Sequence, residues 1–151
     1  MLHAQWMKLP FVFGLALAGA GCATSHAVIP PGTPVQALIA DRLTLRGTAE
    51  PTLLNPSCSA AAPAKPAHIF ELPEETRAMI MLAPPGAEPQ LPATMLHVTN
   101  LDSNKTWCVM SKPDGSPATI AAEFPSGHYA VSVAEVNGAA PRKYEVRVEK
   151  L

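Results

Sequence analysis

The chain has 151 residues, 48% hydrophobic and 15% charged, with 11 basic against 12 acidic side chains and a formal net charge of −1. That length fits one small domain with a single core, and the balanced charge without a basic cluster excludes an electrostatic footprint for nucleic acid. Its 17 prolines cluster at Pro30, Pro31 and Pro34 and again at Pro84, Pro85, Pro89 and Pro92; they break any helix longer than about two turns and exclude an all-helical fold.

The first predicted element is the uncharged run "LPFVFGLALAGAG", Leu9 to Gly21, which follows Lys8 and ends at Cys22. It is shorter than the roughly 20 residues that cross a bilayer as a helix, and reads as the apolar region of an export signal. Met7-Lys8 makes an ordinary signal start in its own right. Gly19, Ala20 and Gly21 are the small residues that a signal peptidase cleft requires. The stretch resembles the bacterial lipoprotein signal, although Gly19 stands where that signal usually carries Leu. The resemblance implies that Cys22 becomes the acylated, palmitate-bearing first residue of the mature chain. Membrane attachment would then run through lipid. With Ala23 rather than Asp next, it implies an outer-membrane address, facing the periplasm or the cell surface. A plain secretory signal cut near "AGA" is the alternative.

With Cys22 set aside, Cys58 and Cys108 are an even pair in an oxidising compartment and read as a disulfide. The organisation is then a signal over residues 1–21, a lipidated Cys and flexible tether over 22–34, and a β-domain over 35–151. The tether "ATSHAVIPPGTP" is polar and proline-bearing.

"VQALIADRLTL" fits a helical spacing at first and an alternation at its end, which predicts a first strand near Leu43 to Gly47. "AEPTLLNPSCSAAAPAKPA" reads as a loop pinned by Cys58. In "HIFEL", His68, Phe70 and Leu72 share one face. "RAMIML" is apolar on both faces, as a central strand would be. "TMLHVTNL", "KTWCVM" and "ATIAAEF" are further strands, with a strong turn at "KPDGSP". "PSGHYAVSV" turns into a strand with Tyr129, Val131 and Val133 inward, His128 outward and the Tyr129 hydroxyl in reach of turn backbone, as in a tyrosine corner. "RKYEVRVEKL" alternates cleanly, with Tyr144, Val146 and Val148 inward. Seven or eight short strands with regular turns predict an all-β, antiparallel, jelly-roll-like sandwich.

The "H-x-F-x-L" strand, "FPSGHYAVSV", the closing "Y-E-V-R-V" and the opening "LTLRGTAEP" together resemble the bacterial pre-peptidase C-terminal domain from about Leu43 onward. His68 stands where that family carries an aromatic residue. "LHVTNLDSN" replaces its acidic middle strand, so the resemblance carries no calcium site over. It implies a β-sandwich that serves adhesion, solubility or substrate binding beside a secreted enzyme.

The spacing of chemical groups predicts no catalytic site, no metal site and no cofactor. His68, His97 and His128 lie on predicted strands without H-x-H, H-x₃-H or C-x₂-C spacing, and His97 and His128 are expected to face solvent. There is no G-x-S-x-G, and adjacent Glu74 and Glu75 point apart on a turn. Asp102-Ser103-Asn104-Lys105-Thr106 matches a bacterial glycosylation acceptor pattern, against which a plain turn is the simpler reading. What remains is a surface. Trp107 and the loop that begins at Pro84 and Pro85 are the candidate partner-binding residues, with an envelope protein or polysaccharide as partner, while Trp107 alternates with Val109 and also suits the core. An envelope binding or structural module is therefore the leading expectation. An enzyme inhibitor and a small His/Met metal carrier are the alternatives.

Overall fold

The computed structural model describes residues 29, 31–51, 58, 66–86, 94–112, 114–135 and 141–151. The predicted signal, Cys22, most of the tether, and Pro89 and Pro92 lie outside the described residues. Nine strands run in chain order: β1 (Val35–Ala37), β2 (Arg42–Pro51), β3 (His68–Leu72), β4 (Thr76–Ala83), β5 (Thr94–Asn100), β6 (Thr106–Met110), β7 (Thr119–Phe124), β8 (Gly127–Glu135) and β9 (Arg142–Lys150). Among the described residues no helix occurs. The fold is an all-β sandwich.

Its first sheet is ordered β1-β3-β8-β5-β6 and its second β2-β9-β4-β7. Strand β2 pairs antiparallel with β9 from Arg42 to Ala49, and then joins β8 in parallel at Glu50 and Pro51. It thereby ties the two sheets along one chain. The other parallel pair is β1 on β3, where Val35 to Ala37 match Ile69 to Glu71. The remaining pairs are antiparallel, so the sheets are mixed where the turn spacing predicts a purely antiparallel fold.

The core follows from period 2. Each strand turns alternate side chains to the space between the sheets: Phe70 and Leu72 from β3, Leu96 and Val98 from β5, Tyr129 and Val131 from β8 on one side. Facing them are Leu45 from β2, Ile80 and Leu82 from β4, Ile120 and Phe124 from β7, and Tyr144, Val146 and Val148 from β9. Each fully buried Leu, Ile or Phe contributes about 1.5–3 kcal/mol by leaving water. Phe70 stacks on Tyr129 with centroids 5.2 Å apart, and Phe124 meets Tyr129 edge-on at 5.7 Å across the sandwich.

The two outer faces differ. On the second sheet, Arg46 and Arg147 both bind the Glu145 carboxylate, at 2.8 and 3.1 Å, and Arg42 pairs with Glu149 at 3.0 Å. The hydrogen bonds from Arg46 and Arg147 hold the Glu145 carboxyl below its ordinary range. On the first sheet, the outer face is withdrawn from solvent around Ile69, Met95, His97, Ser132 and Ala134. His97, expected to face solvent, is only 4% exposed. It sits beside its register partner Cys108, on the face to which Cys58 is bonded. Alternation places His97 outward, and its burial beside the disulfide is not readable from period alone.

Candidate functional site

A grouping of polar side chains lies at the end of the sandwich where β5 turns into β6 and β8 begins. Asn100 closes β5, and its Oδ1 accepts the backbone N–H groups of Asp102 and Ser103, both at 2.9 Å. This is an Asx-type turn, in which a short amide substitutes for backbone. Asn100 N–H in turn donates to the Lys105 carbonyl at 2.8 Å, which completes the reversal. The turn aims Asp102 at the start of β8, where its Oδ2 accepts the His128 N–H at 2.8 Å and lies 3.4 Å from His128 Nδ1. One carboxylate oxygen thus holds the backbone of His128 and lies close to its ring.

Gly127 makes this approach feasible. Its φ is +141°, and a Cβ there would collide with the Asp102 carboxylate. One residue further on, the Tyr129 hydroxyl donates to the Pro125 carbonyl. This is the tyrosine-corner bond that the sequence predicts, and burial pushes the phenol's pKa up.

Trp107 borders the same end from β6. It is half-buried and faces inward, with its ring 4.9 Å from Phe124 and 6.1 Å from Tyr129. The Lys105 ammonium lies 4.9 Å from the ring centroid, in cation–π range. The indole is therefore a core residue whose ring also lies against Lys105. Donors and acceptors of both signs at one end of the sandwich, with an aromatic ring at its edge, suit a hydrogen-bonding partner.

Pro84 and Pro85 do not join this group. They follow β4 at the opposite end of the β5–β6 hairpin, where Pro84 shares a recess with Leu82, Thr94, Ser111, Gly115, Pro117 and Ala118. Trp107 opposes Val98, whereas Ser111 bonds to Thr94; four residues of strand put the two places roughly 13 Å apart. The recess measures about 10 Å³, room for no more than about one water and far short of the hundreds of Å³ a small-molecule pocket needs.

The three strand histidines go to three different places. His128 pairs with Asp102, His97 lies by Cys108, and His68 points between the sheets, where its Nε2 meets the Tyr144 hydroxyl at 3.0 Å. Burial lowers the pKa of His68 and of His97, so both are neutral near pH 7. Among the described residues no group of three or more His, Cys, Asp or Glu side chains is placed to hold a metal ion. The disulfide read from cysteine counting is present, joining Cys58 to Cys108 across 50 residues.

The Asp102–His128 contact was not anticipated. The two residues are 26 apart and belong to different turns; the only local signal was the turn chemistry of "TNLDSN" and "PSG". No protein-family model matches the chain, and no curated protein matches it in sequence.

Proposed function

We propose that this protein is an exported β-sandwich anchored to the cell envelope through a lipid on Cys22, acting without catalysis as a binding or structural module. The observation that carries the reading is the partition of its cysteines. Cys58 and Cys108 bond to each other, which favours an oxidising compartment. Cys22 is the third of three and stands directly behind an apolar run and three small residues. The resemblance of the mature chain to pre-peptidase C-terminal domains points the same way, toward a companion domain rather than a catalyst. Its binding surface is the end that bears Asp102, Lys105, Trp107 and His128.

Fatty-acid labelling in a bacterial host tests the anchor. The intact chain should take up label and fractionate with membranes, and Cys22→Ser should do neither. An unlabelled, freely soluble intact chain would refute lipidation. Capture of detergent-solubilised envelope components on the mature chain tests the surface. Retention of an envelope protein or polysaccharide, weakened by Asp102→Ala, is the expected result; stoichiometric capture and inactivation of a single enzyme would instead mark an inhibitor.

A further inference from the structure

We propose that Asn104 is an acceptor site for N-linked glycosylation, with an oligosaccharide carried on a polyprenyl diphosphate as the donor. The chain has asparagines at 55, 100, 104 and 137. Asn104-Lys105-Thr106 alone satisfies Asn-x-Thr/Ser with x other than Pro, since Asn55 is followed by Pro56 and neither Asn100 nor Asn137 has a hydroxyl residue two places on. Asp102 supplies the acidic residue two places before the acceptor that the bacterial form of the pattern requires.

The fold adds what a five-residue match lacks. The window Asp102 to Thr106 is the reversal between β5 and β6, and every one of its five residues is exposed, the longest such run among the described residues. Asn104 has φ +58°, the left-handed conformation that Asn tolerates better than most residues. The frame of the turn is made by the Asn100 side chain and by the bond that Asp102 accepts from His128 on β8, so the acceptor is presented from a fixed base. Thr106 is the exposed first residue of β6, which leaves the third position of the pattern reachable from outside. A transferase can therefore reach the whole window without unfolding a strand, and a hydrophilic glycan there displaces no buried group.

The reaction is a substitution at the sugar's anomeric carbon. The Asn104 amide nitrogen forms the new C–N bond, the anomeric C–O bond to diphosphate breaks, and polyprenyl diphosphate leaves with the electron pair. The amide proton passes to a base of the transferase. No oxidant or reductant is needed. The product would carry its glycan on the same turn as Asp102 and Lys105, so modification would fall on the end of the sandwich assigned above to partner binding.

The proposal rests on export, because donor and transferase act outside the cytoplasm, and the test separates the two. The full chain is produced behind its own N-terminus, and in parallel behind a proven export signal, in bacterial cells that hold an N-linked oligosaccharyltransferase, its lipid-linked oligosaccharide and a control acceptor. Intact-mass and glycopeptide spectra are recorded. The expected result is one added oligosaccharide on Asn104. Asn104→Gln and Thr106→Val should lower occupancy more than tenfold, while Thr106→Ser, which keeps the hydroxyl, should retain it. Modification behind the proven signal only would support the site while refuting export by the native N-terminus. An unmodified chain behind the proven signal, in cells whose control acceptor is fully modified, would overturn the site, as would modification that persists in Asn104→Gln.

Discussion

The Tyr144 hydroxyl on β9 reaches across the sandwich to His68 Nε2 on β3 at 3.0 Å, with the two rings edge-on and their centroids 5.8 Å apart. This bond spans the two sheets, and its room is made by a third strand. Gly47 on β2 is the register partner of Tyr144, and a Cβ there would stand 2.5 Å from the hydroxyl oxygen, 2.7 Å from Cζ and 3.1 Å from His68 Nε2. Gly47→Ala must push the ring out of place. Overpacking of this kind costs about 1–3 kcal/mol, and the urea midpoint should fall accordingly. An unchanged midpoint would show that β2 moves aside freely.

Acid should weaken the fold earlier than carboxylate titration alone would. Burial lowers the pKa of His68 and His97 below the ordinary 6.5, so the unfolded chain takes up protons that the folded one refuses. Stability is complete above pH 6.5 and declines as pH falls from there toward the two folded values. Denaturant unfolding at half-unit steps from pH 7.5 to 5 should show this slope, and His97→Leu should reduce it. A flat profile through that range would contradict the burial of both rings.

At the alkaline end Tyr144 dominates. Desolvation raises its pKa from 10.0 to about 12. A raised folded pKa means that the stabilisation is intact below pH 10 and is lost as pH rises through 12. A shift of two units corresponds to about 3 kcal/mol. Burial raises both tyrosines, so absorbance titration should show two late phenol ionisations, of which the later is absent in Tyr144→Phe.

Removing the disulfide should be the costliest of these changes. Closing a loop of 50 residues stabilises by about 4 kcal/mol in the chain-entropy model. Equilibrium unfolding of the Cys58→Ser, Cys108→Ser double variant should show a loss of that size. A loss below about 1 kcal/mol would mean that the unfolded chain is already compact between these points.

At the β8 turn, two substitutions separate conformation from bonding. Gly127→Ala forces a Cβ onto φ +141° and against Asp102, at a cost of about 1–3 kcal/mol. Tyr129→Phe removes the O–H that donates to Pro125, at a cost of about 1 kcal/mol. Thermal melts rank the two, and a larger loss from Tyr129→Phe would reverse their assigned importance.

Strands with strict alternation were legible in the sequence. β9 and β8 have the inward faces that period 2 predicts, and the Tyr129 hydroxyl meets turn backbone as a tyrosine corner requires. β1 was not legible, since three residues are too few to show a period and its parallel seat on β3 depends on where the chain returns. His97 is buried on an outer face beside Cys108, which alternation does not signal. The candidate site divides in the same way: Gly127 was readable as turn chemistry, whereas Asn100 reads as the end of a strand, and the Asp102–His128 link exists only because two separate turns meet. Trp107 and Pro84, read together, lie at opposite ends of one hairpin.

The cross-link between Cys58 and Cys108 also sets how the protein bears load. Strands β3, β4 and β5 lie between the bonded cysteines, and Cys108 sits within β6, so tension applied at the chain ends passes through the sulfur bridge and bypasses those three strands. About 170 Å of contour, at roughly 3.4 Å per residue, is withheld from extension. Under tension from its two ends, the chain can yield only through β1, β2, the end of β6 beyond Cys108 and the three closing strands, and the inner block keeps its length until the bridge is reduced.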